Sequence, residues 1–314
     1  MEAIPYAGAG EPWDALVGAA PMATFLHTRR FLDHHGDRFP DLSLLLLEGG
    51  ELAGVFPAAA HPQDERRVVS HPGSTFGGLA HDGGLAGERM IDALKAIRAA
   101  YREQGFETLS YKAVPHIYHR LPSEDDLYAL FRLGATRARA DLSCAIDLDA
   151  RRPAASRRRR GLRKARSEGV EVRRSPDLAH HLWPVLEANL RERHGVDPVH
   201  TVEEILQLHE LFPEEVGFVA GILDGEVLGG IVTFTTPRVV HPQYIASGER
   251  GRGVSVLDAV FEYSIDEARR AGARFFDFGI STVDDGRQLN DGLHGFKREF
   301  GGGGVTYESY ELSL

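Results

Sequence analysis

Apolar residues recur along this chain with two periods, and the two periods alternate in the same order twice. Leu42–Leu47 is a compact apolar run closed by Glu48-Gly49-Gly50, and Glu51-Leu52-Ala53-Gly54-Val55-Phe56 follows it. Phe218–Leu223 leads in the same way through Asp224-Gly225 into Glu226–Phe234. Large or β-branched residues on either side of a glycine turn predict a β-hairpin in each place. Gly54 and Gly229 hold matching positions, 175 residues apart.

The match continues downstream. Met90, Ile91, Leu94, Ile97 and Tyr101 fall at helical spacing within Glu88–Gln104, with Gly105 as the stop. Leu257, Val260, Phe261, Ile265 and Ala268 repeat the pattern, with Gly272 as the stop. An apolar strand follows each helix, at Phe106–Val114 and Ala273–Ile280. Each half thus reads hairpin, further strand, glycine-containing turn, helix, strand. That order predicts an internal duplication, although two unrelated α/β domains with common turn chemistry would share parts of it.

Between the halves lies an alternating, strand-like stretch, Asp141–Asp149, and then a segment that predicts a short basic helix over Arg157–Glu168, ended by Gly169. Thr201-x-x-Glu204 is a capping box opening a helix to about Leu211, before Pro213. No long linker appears. The expectation is two mixed-sheet α/β domains, 1–150 and 151–314, packed into one compact body.

Composition narrows the function. The 314 residues are 42% apolar and 26% charged, as in a globular protein, and a prior of about 150 residues per domain suggests two. With 46 acidic and 36 basic side chains the net charge is −10, which argues against a general polyanion binder and against DNA. The charge is uneven, however. Residues 151–174 carry a net +9, leaving −19 on the rest. Cys144 is the single cysteine, so no intrachain disulfide and no multi-cysteine zinc site can form, and no metal-ligand spacing appears elsewhere. The first residues lack a basic and then apolar leader, and the longest aliphatic run is Leu44–Leu47. A cytoplasmic protein without a membrane span is the expectation.

Two segments could carry chemistry. Tyr244–Ser255 joins a strand to the second-half helix. Its glycines at 248, 251 and 253 would turn backbone N–H groups outward beside a helix N-terminus, a seat for phosphate. The second segment runs from Asp277-Phe278-Gly279-Ile280-Ser281 through Asn290 to Gly302. In it Lys297 stands among glycines and aromatics, where a lysine could stabilise an oxyanion or hold a phosphate. A solvated lysine in a surface turn, with Phe296 and Phe300 as core anchors, is the plainer reading. His194 and His200 flank a Gly-Val-Asp-Pro turn and are candidates for substrate contact or proton transfer. His34-His35 and His180-His181 read as surface pairs, and Cys144 as a small buried hydrophobe.

Together, the duplicated plan, the basic stretch 159–172, QYIAS at 243–247, FDFGIS at 276–281 and Asn290-x-Gly-Leu-x-x-Phe-Lys-x-x-Phe-Gly resemble the GNAT superfamily, and within it the double-domain Fem-type (FemABX) acyl and aminoacyl transferases. The resemblance covers nearly the whole chain. It implies a site between splayed strands, with backbone groups exposed after Ser247 and near Gly279. It also implies a donor-phosphate or oxyanion role for Lys297. The candidate catalytic residues are then Lys297, Ser247, Asp277 and His194. Donor contacts fall to Arg250, Gly251, Arg252, Gly253, Ser255, Gly279 and Asn290, and acceptor contacts to His200 and Tyr244. Arg250-x-x-Gly253-x-Ser255 follows the acyl-CoA phosphate loop except at Ser255, where the family pattern has Gly or Ala. The long helical arm of some Fem-type proteins has no counterpart here. Arg157, Arg158, Arg159, Arg160, Arg163 and Lys164 are the candidate transfer-RNA contacts.

The implied reaction is N-acyl transfer by direct attack of an amine on an activated carbonyl, which needs orientation, oxyanion donors and a proton path but no covalent intermediate. No bound cofactor is expected. The co-substrate is aminoacyl-tRNA, slightly favoured, or acyl-CoA, and the acceptor is a small-molecule, glycan or peptide amine. The first half lacks the 290–301 motif and reads as the worn copy that shapes the acceptor site. A non-catalytic module binding a peptide, a glycan precursor or RNA is the alternative.

Overall fold

The computed structural model describes residues 1–314 except Ala9, Val196 and Asp197; for Asp37, Arg193 and His194 it describes the backbone alone. Two compact units emerge. The first comprises Met1–Leu142, Thr282–Gln288 and Thr306–Leu314, the second Ser143–Ser281 and Leu289–Val305.

In the first unit, strands β1 (Glu2–Pro5), β2 (Leu44–Glu48) and β3 (Glu51–Phe56) form an antiparallel sheet, with helices α1 (Gly10–Ala19) and α2 (Arg29–Asp33) between β1 and β2 in sequence. Strands β4 (Ala59–His61), β5 (Asp64–Val69) and β6 (Thr108–Lys112) come next, with helix α3 (Glu88–Glu103) between β5 and β6 and helix α4 (Asp125–Arg132) after β6. Strands β5 and β6 pair in parallel, as a helical crossover requires. The buried stripe Met90, Ile91, Leu94, Ile97 and Tyr101 of α3 packs into a core with Leu44, Phe56, Leu109 and Tyr111.

The next strand, β7 (Thr136–Asp147), opens the second plan. It leads to helix α5 (Ser156–Ser167), β8 (Glu171–Arg174), α6 (Ala179–His194) and α7 (Val202–Leu211), whose Thr201/Glu204 capping box forms. Strands β9 (Val216–Leu223), β10 (Glu226–Thr235) and β11 (Val239–Ser247) make an antiparallel meander. Helices α8 (Glu249–Val254) and α9 (Val256–Arg270) cross to β12 (Phe275–Ile280), parallel to β11. The short strands β13 (Thr282–Val283) and β14 (Gln288–Leu289), helix α10 (Asp291–Arg298) and β15 (Gly303–Ser313) complete the chain.

The duplicated order is therefore present, and the two units are each discontinuous in sequence. The closing strands are exchanged between the halves. Ser143–Asp147 of β7 pairs with β12 in the second unit, and Ser309–Ser313 of β15 pairs with β6 in the first. Periodicity reports a strand but not its partner.

In the second unit the helix–sheet contact is unusually tight. A Cβ on Gly221 would lie 2.2 Å from Val256, one on Gly229 3.0 Å, and one on Gly251 2.9 Å. Three glycines thus seat the start of α9 against the sheet, and Gly229 is the residue that aligned with Gly54 in sequence. Gly221→Ala should lower unfolding stability by about 1–3 kcal/mol through overpacking. Urea denaturation measures this, and a variant as stable as the parent would show that α9 can shift freely.

Candidate active site

The site begins where two strands part. Strands β11 and β12 pair only at Val239–Phe275 and Val240–Phe276. Beyond that point β11 continues to Ser247 and β12 to Ile280 with no further ladder between them among the described residues. Each strand keeps its other neighbour by means of a bulge. On β11, Val232 of β10 faces Tyr244 while Thr233 faces Pro242, so Gln243 is the extra residue and Pro242 has no N–H to give. On β12, Asp277 faces Ala145 and Ile280 faces Ser143, with Gly279 at φ +77° taking the turn.

A buried polar cluster fills the crotch of this fork. Lys297, on α10 and only 4% exposed, donates from Nζ to the carbonyls of Gly279 (2.9 Å) and Ile280 (2.6 Å). Burial pulls its pKa down to about 8, with Asp277 acting in the opposite direction. Asp277 is fully buried and accepts from the Ser143 hydroxyl and from the Gly279 N–H (3.1 Å). His241, on β11, faces the Asp277 carbonyl through Nδ1 at 2.9 Å, and burial lowers its pKa. The imidazole is then neutral at pH 7, and with the proton on Nδ1 its Nε2 is a proton acceptor. Cys144 is buried, and burial, with Asp277 adding to it, pushes its thiol up to about 11, far from a thiolate nucleophile.

The turn after β11 is itself helical. Residues 249–254 are a helical turn, and the N–H groups of Gly248, Arg252 and Ser255 are spent on the carbonyls of Leu228, Gly248 and Arg252. Gly251 is required by packing, since a Cβ there would meet the Leu228 carbonyl at 2.4 Å; Gly253 faces open space. Ser255 adopts the left-handed conformation between α8 and α9, at φ 61°. Arg250 is turned away, paired with Asp224 (2.6 Å) and Glu226. Arg252 and Asn189 both donate to the Ser247 carbonyl, at 2.8 and 3.2 Å. Asn290 caps α10, its Oδ1 accepting from the Leu293 N–H at 3.0 Å.

The structure brings His200 and Tyr244 together, Nδ1 to hydroxyl, at 2.5 Å, with Trp183 edge-on to Tyr244. The side chain of His194, at the end of α6, lies outside the described residues. On α5, Arg157, Arg159, Arg160, Arg163, Lys164 and Arg166 are exposed and form no salt bridge among the described residues, although Arg157 lies near enough to Asp258 to favour its charged form. Arg158 is the exception and corrects its place in the basic set. It is buried, paired with Asp258 (3.1 Å) and Glu299 (2.9 Å), and lies 4.6 Å over the Phe296 ring. His35 is likewise buried rather than a surface residue, whereas His180 and His181 are exposed. His241 escaped the sequence reading; its only signal was a lone histidine in the strand before QYIAS.

The model of the acetyltransferase (GNAT) domain matches residues 150–298. FemX has the same fold along the whole chain, with a TM-score of 0.73 at 14% identity, over 100% of this chain and 98% of that one. The C-terminal domain of an assigned lysylphosphatidylglycerol synthetase from Agrobacterium fabrum superposes at 0.63 and 13% identity, covering 96% and 91%. A tandem GNAT protein from the clavulanic acid biosynthesis pathway superposes at 0.50 and 15% identity, covering 99% and 98%. No curated protein matches the chain in sequence. Residues 150–298 match the acetyltransferase (GNAT) domain, the chain as a whole has the double, Fem-like fold, and the protein is an acyltransferase. Among the described residues, no helix is long and apolar enough to cross a membrane.

The buried Arg158 predicts an asymmetry. Arg158→Ala should cost about 3–5 kcal/mol, because Asp258 and Glu299 lose their partner, while Arg158→Met with Asp258→Leu should recover most of the loss. Chemical denaturation of the three proteins checks this, and an Ala variant within about 1 kcal/mol of the parent would assign the pair to the solvated surface.

Proposed function

We propose that this protein transfers an aminoacyl group from a charged transfer RNA to an amine acceptor, by direct attack of the amine in the fork between β11 and β12. The observation that carries the choice of donor is α5. Its buried face (Arg158, Ala165) packs inward, while six cations on its other faces stand exposed without a salt bridge among the described residues, on a chain whose remainder is strongly acidic. Arg151, Arg152, Arg159 and Arg269 line a cleft beside it. An array of this kind suits a run of phosphates better than a single small anion. The residues before α9 point the same way, since Arg250 is held by two carboxylates and three amides of the turn are already bonded.

Acyl-CoA is the second reading, favoured by the Arg250-x-x-Gly253 spacing and the start of α9. In either case the roles within the fork are the same. Lys297 spends two N–H groups on the Gly279 and Ile280 carbonyls and keeps the charge of its ammonium beside the place where an oxyanion would develop. His241 Nε2 takes the proton leaving the amine and returns it to the departing ester oxygen of the transfer RNA, or thioester sulfur of CoA, as the C–O or C–S bond breaks. Tyr244 and His200 orient the acceptor.

Two experiments test this. Replacing Arg157, Arg159, Arg160 and Arg163 by Ala should weaken aminoacyl-tRNA-dependent transfer and flatten its salt dependence, by about 0.9 in log–log slope for each phosphate no longer neutralised. Transfer from acyl-CoA that is unaltered in this variant at every salt concentration would discard the RNA donor. The pH profile tests Lys297. The ammonium is the active form, so kcat should fall as pH rises through about 8. Lys297→Met should lose that limb along with about hundredfold in kcat; a profile unaffected by the substitution would remove Lys297 from the reaction.

A further inference from the structure

The first unit has its own parting of parallel strands. Val69–Ser110 is the last pair of β5 and β6, and beyond it the chain leaves its partner, as β11 leaves β12 in the second unit. The next segment is the loop Ser70-His71-Pro72-Gly73-Ser74-Thr75-Phe76-Gly77-Gly78, held along one side. Lys112 Nζ donates to the carbonyls of His71 (3.4 Å) and Ser74. His35 Nε2 faces the Gly73 carbonyl at 3.2 Å. His27 accepts the Thr24 N–H on Nδ1, so its Nε2–H donates to the Gly77 carbonyl at 2.9 Å.

With its carbonyls drawn inward, the loop keeps donors to spare. The amides of Gly73, Thr75, Phe76 and Gly78 have no acceptor among the described residues, and Phe76 and Gly78 are buried. Buried amides without a partner are rare in native proteins. Two side chains add to the set. His71 and Ser74 are each only 5% exposed, and the buried His71 Nδ1 and Ser74 Oγ have no hydrogen-bond partner. His71 also holds φ at +59°, a strained conformation for histidine that persists only where surrounding contacts impose it. The loop is closely packed, since a Cβ on Gly73 would meet His35 at 2.6 Å and one on Gly77 would meet the Ser70 carbonyl at 2.2 Å.

We propose that this loop, with Lys112, is a binding site for an anionic oxygen group, a carboxylate or a phosphate. Unpaired amides in a rigid turn, a free hydroxyl and an ammonium are the donors such a group needs, and no acid among the described residues occupies them. The anion site stands independently of the proposed transfer reaction.

The test is an NMR titration of the full chain, following backbone amides while acetate or inorganic phosphate replaces chloride at constant ionic strength. The amides of Gly73, Thr75, Phe76 and Gly78 should shift saturably with one anion more tightly than with the other, which identifies the group. Ser74→Ala should weaken that binding about tenfold, the value of one charge-assisted hydrogen bond, and Lys112→Met more. The spectrum reports the fold of each variant, and if Lys112→Met does not fold, Ser74→Ala decides, since its hydroxyl has no partner to lose. Absence of saturable shifts at these amides with either anion, or an unchanged affinity in Ser74→Ala, overturns the site whether or not transfer is observed. A transfer assay that fails while the titration succeeds overturns the proposed transfer reaction and leaves the anion site standing.

Discussion

The constraint on which the site depends is the satisfaction of backbone groups where β12 leaves its partner. A strand that separates from its neighbour strands its carbonyls, and in a buried setting each unsatisfied group costs about 1–3 kcal/mol. Here the ammonium of Lys297 takes the Gly279 and Ile280 carbonyls, while Asp277 takes the Gly279 N–H. One buried cation and one buried carboxylate thereby hold open a fork that a continuous ladder would close. The same two groups set the local electrostatics: burial makes the ammonium easier to deprotonate and keeps His241 neutral beside it.

Small residues place the rest of the second unit around that fork. Gly221, Gly229 and Gly251 bring α9 against β9–β11, and Gly302 lies so near Cys144 that a Cβ would approach Sγ to 2.7 Å. Phe261, Phe278, Phe296 and Phe300 interlock between α9, β12 and α10, mostly edge to face, which fixes the helix that carries Lys297. The Phe-Lys-x-x-Phe spacing is thus a packing motif and a polar motif at once. Its aromatics anchor the turn of helix whose lysine reaches the strand.

Charge is divided between buried and exposed duties in the same way. Along α5 a single arginine, Arg158, is consumed by Asp258 and Glu299 under the Phe296 ring, and Gly161 admits Asp258 to the helix surface. Its neighbours remain in water, where ion pairing would contribute little to stability. Their concentration on one short helix of an otherwise acidic chain therefore contributes little to folding.

The repeated hairpin–helix–strand order, the capping box at Thr201, the basic helix and the lysine motif were legible in the sequence because each follows from local rules of periodicity, turn chemistry and spacing. Relations between residues far apart in sequence stayed hidden. The exchange of β7 and β15 depends on which strand edge is open, which periodicity cannot report. The burial of Arg158 depends on carboxylates 100 and 141 positions away, and of His35 on a loop 38 positions away. Asn290 looked like a ligand residue and is a helix cap, because its side chain meets the Leu293 amide first. The sequence by itself determined the elements, their order and the presence of a lysine among aromatics. The tertiary structure alone decided which backbone groups lack partners, and hence where the strands part and what the buried charges hold, because hydrogen-bond satisfaction is settled by packing rather than by the order of residues.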